Sequence, residues 1–225
     1  MLRHAAPSLV LVGLLVSGCG VAAMWIRPIP PAEMHALDAA TAWPEITSNL
    51  AAKRTGTLIV RLDIAMPELP PSRMEPVSFE VMPYAEAGRR DLETLFRWRY
   101  DASTLPGGIA RQRDAPQRIL ESLRAYWKKL DEAGISSAAR AARSSAAQEA
   151  RLADLPAGDY LLVSESRHSA AAGAPGRAWA WLVRVRVEAE KETALTLDND
   201  NAFCFTSTGW LSRTGCRPAT AERAP

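Results

Sequence analysis

Histidine is scarce in this chain, cysteine nearly so, and neither sign of charge prevails. Three histidines and three cysteines occur among 225 residues. His4 falls in an apolar N-terminal stretch, and neither His35 nor His168 lies near a cysteine. That argues against a mixed cysteine–histidine metal centre, whose ligands come in closely spaced sets. No His-Glu-x-x-His and no Gly-x-Ser-x-Gly occurs, so two common hydrolase signatures are missing. Lys and Arg total 27 against 25 Asp and Glu, a formal charge of +2. No field of one sign exists to draw nucleic acid to the whole domain. Arg89-Arg90 and Lys128-Lys129, the densest basic pairs, read as solvated surface. No internal repeat is found, and no cofactor motif.

The N-terminus is the informative part. Residues 1–18 have the form of a secretory leader, with Arg3 as its positive end and Ala5 to Val16 as its apolar stretch. Val16-Ser17-Gly18-Cys19 follows, preceded by Leu14-Leu15. This run resembles the lipobox of bacterial lipoproteins, in which an aliphatic residue and two small residues precede an obligatory cysteine. The resemblance implies acylation of Cys19 and a membrane anchor. Each buried methylene contributes about 0.8 kcal/mol, so several acyl chains hold firmly. Gly20 stands where an aspartate would imply retention at the inner membrane, so the implied location is the outer membrane, facing the periplasm. A second anchor fits the same residues. Ala5 to Ile26 carries no charge, and that length crosses a hydrocarbon core of about 30 Å as an uncleaved helix. Both readings put the domain outside the cytoplasm.

With Cys19 taken by lipid, Cys204 and Cys216 remain as an even pair, and in an oxidising compartment they are expected to form a disulfide. Residues 19–52 read as the lipidated N-terminus and a tether, because Pro28, Pro30 and Pro31 interrupt any helix. A short helix is expected over 32–42.

A single domain is expected over 53–205, with a tail from 206. Leu58, Val60, Leu62 and Ile64 alternate with Thr57, Ile59, Arg61 and Asp63, the period of a strand half-buried on one face. Val77, Phe79 and Val81 give a second strand, and Pro156-Ala157-Gly158-Asp159 turns into a third over 160–165. Trp179, Trp181, Val183, Val185 and Val187 share one face of a fourth, with Arg184, Arg186 and Glu188 opposite. Residues 193–197 make a fifth. Between the second and third strands lies a helical insertion, about 114–150. Asp114 is its expected cap, with Pro116 in the first turn and Ile119, Leu123, Trp127 and Leu130 at helical spacing. Gly134 is the expected stop, followed by a second, alanine-rich helix from Ser136 to Ala150. The expected architecture is mainly β: an antiparallel sandwich with a helical insertion.

The run Leu152-Ala153-Asp154-Leu155-Pro156-Ala157-Gly158-Asp159-Tyr160-Leu161-Leu162-Val163 resembles the "leucine–proline–x–glycine–x–tyrosine" lead-in to a strand of transthyretin-like domains. These include carboxypeptidase regulatory-like and collagen-adhesin B-type sandwiches. The resemblance implies that Tyr160 plugs a sandwich edge. It further implies a non-catalytic stalk, binding module or accessory lipoprotein, although a fold alone assigns no task.

Four candidate sites follow. Trp98, Arg99 and Tyr100, with Phe96 and Arg97 beside them, form an aromatic-basic cluster that is either structural or a protein-contact surface. Trp179 and Trp181 suit a sugar platform, but the valines on their face favour core packing. Asp198-Asn199-Asp200-Asn201 offers oxygen ligands, yet Ala202 breaks the calcium-loop spacing and a side-chain-stabilised turn fits better. His168 stands near Glu165, Ser166 and Ser169, but neighbours in sequence rarely assemble a triad. The expectation is a membrane-anchored, non-enzymatic envelope lipoprotein with an envelope protein partner, without metal or nucleic acid. A lipoprotein binding carbohydrate or a small apolar molecule between helices and sheet is the alternative, and an exported hydrolase the third.

Overall fold

A computed structural model describes residues 33–64, 76–101, 108–168, 177–207 and 214–217. The leader, Cys19 and the three tether prolines lie outside them. Two sheets make a sandwich flanked by helices, so the chain is mainly β with an α component. The smaller sheet has the order β4–β1–β7, from Glu149–Pro156, Thr55–Asp63 and Glu192–Asp198. The larger has the order β3–β2–β5–β6–β8–β9. Its strands are Arg140–Arg143, Ser78–Pro83, Gly158–His168, Arg177–Val187, Cys204–Ser207 and Thr214–Cys216.

All neighbours in the larger sheet are antiparallel. In the smaller, β1 runs antiparallel to β4 but parallel to β7, with Thr57 opposite Glu192 and Leu62 opposite Leu197. The expected all-antiparallel pairing therefore fails at that one place, because β7 leaves the β6 turn for the other sheet. Leu58 and Val60 of β1 enter one hydrophobic cluster with Leu162, Trp179 and Trp181 of the larger sheet. Trp179 and Trp181 are core residues, 1% and 0% exposed, and the indole N–H of Trp181 donates to the Asp198 carbonyl at 3.0 Å. Neither offers a face to sugar. Tyr160 is buried, and its hydroxyl donates back to the Pro156 carbonyl at 2.7 Å, pinning the turn that begins β5.

Three expectations are corrected. The segment expected as tether is, from Glu33 onward, part of the domain. Helices α1 (Glu33–Ala36) and α2 (Pro44–Ala51) replace the single helix over 32–42. Met34, Trp43 and Ile46 are buried, the Trp43 indole N–H donates to the Tyr84 carbonyl, and Asn49 donates to the Ala157 carbonyl at 2.7 Å. Second, the insertion holds a helix where none was expected: α3 (Glu86–Tyr100), whose Leu92, Leu95, Phe96 and Tyr100 face the core. The next, α4, runs Gly108–Glu132 and takes in Asp114 and Pro116 as interior residues. Burial of Ala115 holds the turns ahead of the proline, which removes one helical hydrogen bond.

Third, the alanine-rich run is not helical. After one turn of 3-10 helix (Ser136–Ala138) it forms β3, and β4 begins at Glu149. Alanine favours helix by only tenths of a kcal/mol over most residues, and pairing along β2 outweighs that. Gln148, at φ 58°, closes the turn between the two strands.

Candidate functional site

The helices and the larger sheet do not close on each other everywhere. A groove of about 530 Å³ lies between them, within the range of small-molecule sites. Its walls are Phe96 of α3 and Ile119 and Leu123 of α4. The last two stand one helical turn apart, in line with Trp127 and Leu130, so the stripe that packs α4 also lines the groove. The floor comes from three adjoining strands: Ala141 and Arg143 of β3, Ser78 and Glu80 of β2, and Val163 and Glu165 of β5. Alternation along each strand puts these residues on the helix side, since Glu80 stands opposite both Ala141 and Val163.

The two carboxylates differ in their surroundings. Glu165 accepts from the Tyr100 hydroxyl at 2.5 Å, pairs with Arg99 at 2.8 Å and receives the Nε–H of Arg167 at 2.8 Å. Two cations and a phenol thus satisfy it. Burial first, and this carboxylate second, push the Tyr100 phenol well above its ordinary range, so it stays a donor. Glu80 accepts the indole N–H of Trp127 at 2.6 Å. Among the described residues no cation pairs with it. Arg143 stands at the exposed rim, its Nε–H directed to the Pro76 carbonyl at 3.3 Å.

The expected contact surface is largely turned inward. Tyr100 is buried, and the Arg99 side chain is 12% exposed, because both reach Glu165. Trp98 is half-buried, with the Arg111 guanidinium 5.0 Å above its ring. Arg99 and Tyr100 anchor the end of α3 to β5, and Trp98 meets α4 through Arg111.

Cys204 and Cys216 are disulfide-bonded, directly opposite each other on β8 and β9 with Cα atoms 4.1 Å apart. The hairpin they lock meets α3, where Arg97 donates to the Arg217 carbonyl at 2.5 Å and lies over the Phe203 ring. Asp198 to Asn201 form a self-satisfied turn: the Asp198 carboxylate accepts from the backbone N–H groups of Asp200 and Asn201, both at 2.8 Å. No group of three metal-ligating side chains occurs among the described residues. Glu165 and Ser166 are consecutive in β5 and so point to opposite faces, Ser166 inward and buried. Those two do not meet in a triad, and Ser169 lies outside the described residues.

No family model matches the chain. No curated protein matches it in sequence. Two solved structures are distantly alike. A Pseudomonas aeruginosa protein suggested to bind carbohydrate superposes with a TM-score of 0.38 at 13% identity, over 68% of this chain and 96% of that one. The pilus backbone protein RrgB of Streptococcus pneumoniae gives 0.25 at 11%, over 63% and 40%. At these scores neither likeness bears on function.

A site between helices and sheet was the alternative reading of the sequence, but its full lining was not legible, because one wall comes from α3 and part of the floor from β3, two elements that the residue pattern did not yield. The signal that existed was Leu92, Leu95, Phe96 and Tyr100 at helical spacing, overlaid by a dense ladder of charges on the same helix.

Proposed function

We propose that this chain is an exported lipoprotein, acylated on Cys19, whose sandwich domain binds a small and mainly apolar ligand without transforming it. The observation that carries the binding half is the groove between α3, α4 and the larger sheet. Its walls are aromatic and aliphatic, and its polar groups, Ser78, Glu80, Arg143, Ser164 and Glu165, sit on the floor and rim. That is the usual make-up of a ligand site: apolar surface supplies affinity and a few polar groups orient the occupant. The anchoring half rests on Leu14-Leu15-Val16-Ser17-Gly18-Cys19. The inward turn of Arg99 and Tyr100 weighs against protein contact through that cluster.

Trp127 gives a local reporter, since its indole N–H touches the groove floor through Glu80. Titrating the purified full-length protein with n-octanol is expected to shift the Trp127 indole resonance saturably. Ala141→Phe, which puts a ring into the groove from an exposed edge-strand position, should abolish the shift. A resonance that never saturates, or that responds equally in the variant, would refute ligand binding here. Intact mass tests the anchor: loss of residues 1–18 and added acyl mass, both abolished by Cys19→Ala, are expected. A full-length unmodified chain in the membrane would instead mean an uncleaved helix.

A further inference from the structure

The charges around the groove are not equivalent: one carboxylate is paired, one cation is exposed, and one carboxylate has no cation beside it among the described residues. Glu165 is already neutralised by Arg99 and Arg167 and hydrogen-bonded by Tyr100. Arg143 is exposed at the rim, where water screens it. Glu80 is half-buried on the floor, beside the apolar Val163 and Ala141, and its one hydrogen-bond partner among the described residues is a neutral indole. A carboxylate partly withdrawn from bulk water attracts an opposite charge more strongly than one fully exposed at the surface does. Trp127 holds it in place with one N–H, which leaves acceptor capacity on a carboxylate that can take several donors.

The geometry points to an ammonium-bearing apolar ligand, its hydrocarbon part along Phe96, Ile119 and Leu123 and its charged nitrogen on Glu80. This rests on the ligand-binding reading above and narrows it to cationic amphiphiles of the alkylamine type. An ammonium supplies the missing cation and donates hydrogen bonds that a hydroxyl makes more weakly and a carboxylate cannot make at all.

Three probes of equal chain length separate the outcomes: n-octylamine, n-octanol and n-octanoate, each titrated against the full-length protein by the Trp127 indole resonance. Octylamine is expected to saturate at roughly tenfold lower concentration than octanol, as a charge-assisted hydrogen bond implies. Octanoate should be the weakest. Glu80→Gln keeps an acceptor for Trp127 but no charge, and should bring octylamine to the level of octanol. Equal saturation by all three in the wild type would overturn the ammonium assignment while leaving an apolar ligand site intact. Octanoate binding best, and losing its advantage in Arg143→Gln, would overturn it in favour of an anion anchored at the rim. Failure of all three to saturate would sink ligand binding itself, and this inference with it.

Discussion

Replacing Gly88 with alanine sets two well-understood effects against each other, and the structure decides between them. Gly88 lies in the first turn of α3, where exchanging glycine for alanine ordinarily favours a helix by about 1 kcal/mol. A Cβ at this position, however, would stand 2.1 Å from Cε2 and 2.6 Å from Cδ2 of Tyr126. The ring has nowhere to go. Tyr126 is fully buried, its hydroxyl donates to the Pro83 carbonyl at 2.7 Å, and Trp43 packs against it with ring centroids 6.3 Å apart. The two helices must therefore separate, and overpacking of this kind costs about 1–3 kcal/mol, with so deep an overlap at the upper end. The net expectation for Gly88→Ala is a loss of about 2 kcal/mol, or roughly 4–8 °C in Tm for a domain of this size. Urea unfolding followed by circular dichroism measures it. The same cycle tests the cause: Tyr126→Phe keeps the offending ring carbons and should not relieve the clash, whereas Tyr126→Leu should make the alanine nearly neutral. A Gly88→Ala protein as stable as wild type would refute the close packing of α3 on α4. Relief by Tyr126→Phe would refute the ring as its cause.

Reduction of the Cys204–Cys216 bond, which spans a sequence separation of 12, should cost about 3 kcal/mol by loop-closure entropy. Calorimetry with and without reductant would read this as a Tm lower by roughly 6–12 °C, and an unchanged Tm would mean the hairpin contributes nothing to cooperative unfolding. Acid sensitivity should centre partly on Glu86. Hydrogen bonding to Arg89, and then to Tyr84 and Arg90, holds its carboxyl well below the usual carboxylate range. A depressed folded-state value stabilises the fold above the ordinary carboxylate range, and that contribution is lost as pH falls below it. Unfolding midpoints at neutral and acid pH should therefore lie closer together in Glu86→Gln than in wild type; an unchanged gap would count against the ion-pair ladder on α3.

What was legible in the residues was whatever one element decides by itself. The alternation in Trp179 to Val187 marked β6, and Leu58 to Ile64 marked β1, because a strand with a buried face writes its period of two, although Ile59, Ala178 and Ala180 are buried on the other face as well. The spacing of Ile119, Leu123, Trp127 and Leu130 marked α4 in the same way. Elements decided by their neighbours were not legible. Residues 140–143 read Arg-Ala-Ala-Arg, which as an isolated peptide favours helix; only the free edge of β2 makes them a strand. Nor does a Pro-interrupted N-terminal segment announce that Trp43 will bury against Tyr126 and Ile46 against the β4–β5 turn, where Ile46 comes within 2.4 Å of the place a Cβ on Gly158 would occupy. The candidate cluster at Trp98 to Tyr100 was visible as composition, but its orientation toward Glu165 depends on a residue 65 positions from Tyr100.

The strand order of the smaller sheet also governs when it can exist. β1 is its centre, yet its partners come from the far half of the chain: Val60 waits for Ala150 on one side and Leu195 on the other. A chain appearing from its N-terminus therefore holds Leu58, Val60 and Leu62 without a sheet neighbour until Glu149–Pro156 has emerged, and without the second until Glu192–Asp198 has followed. Contacts so distant in sequence form slowly, because a long loop must close before any of them is made. The central strand of the smaller sheet thus gains its second neighbour only after β5 and β6 have emerged, so that this sheet closes late and the domain completes its folding as a whole.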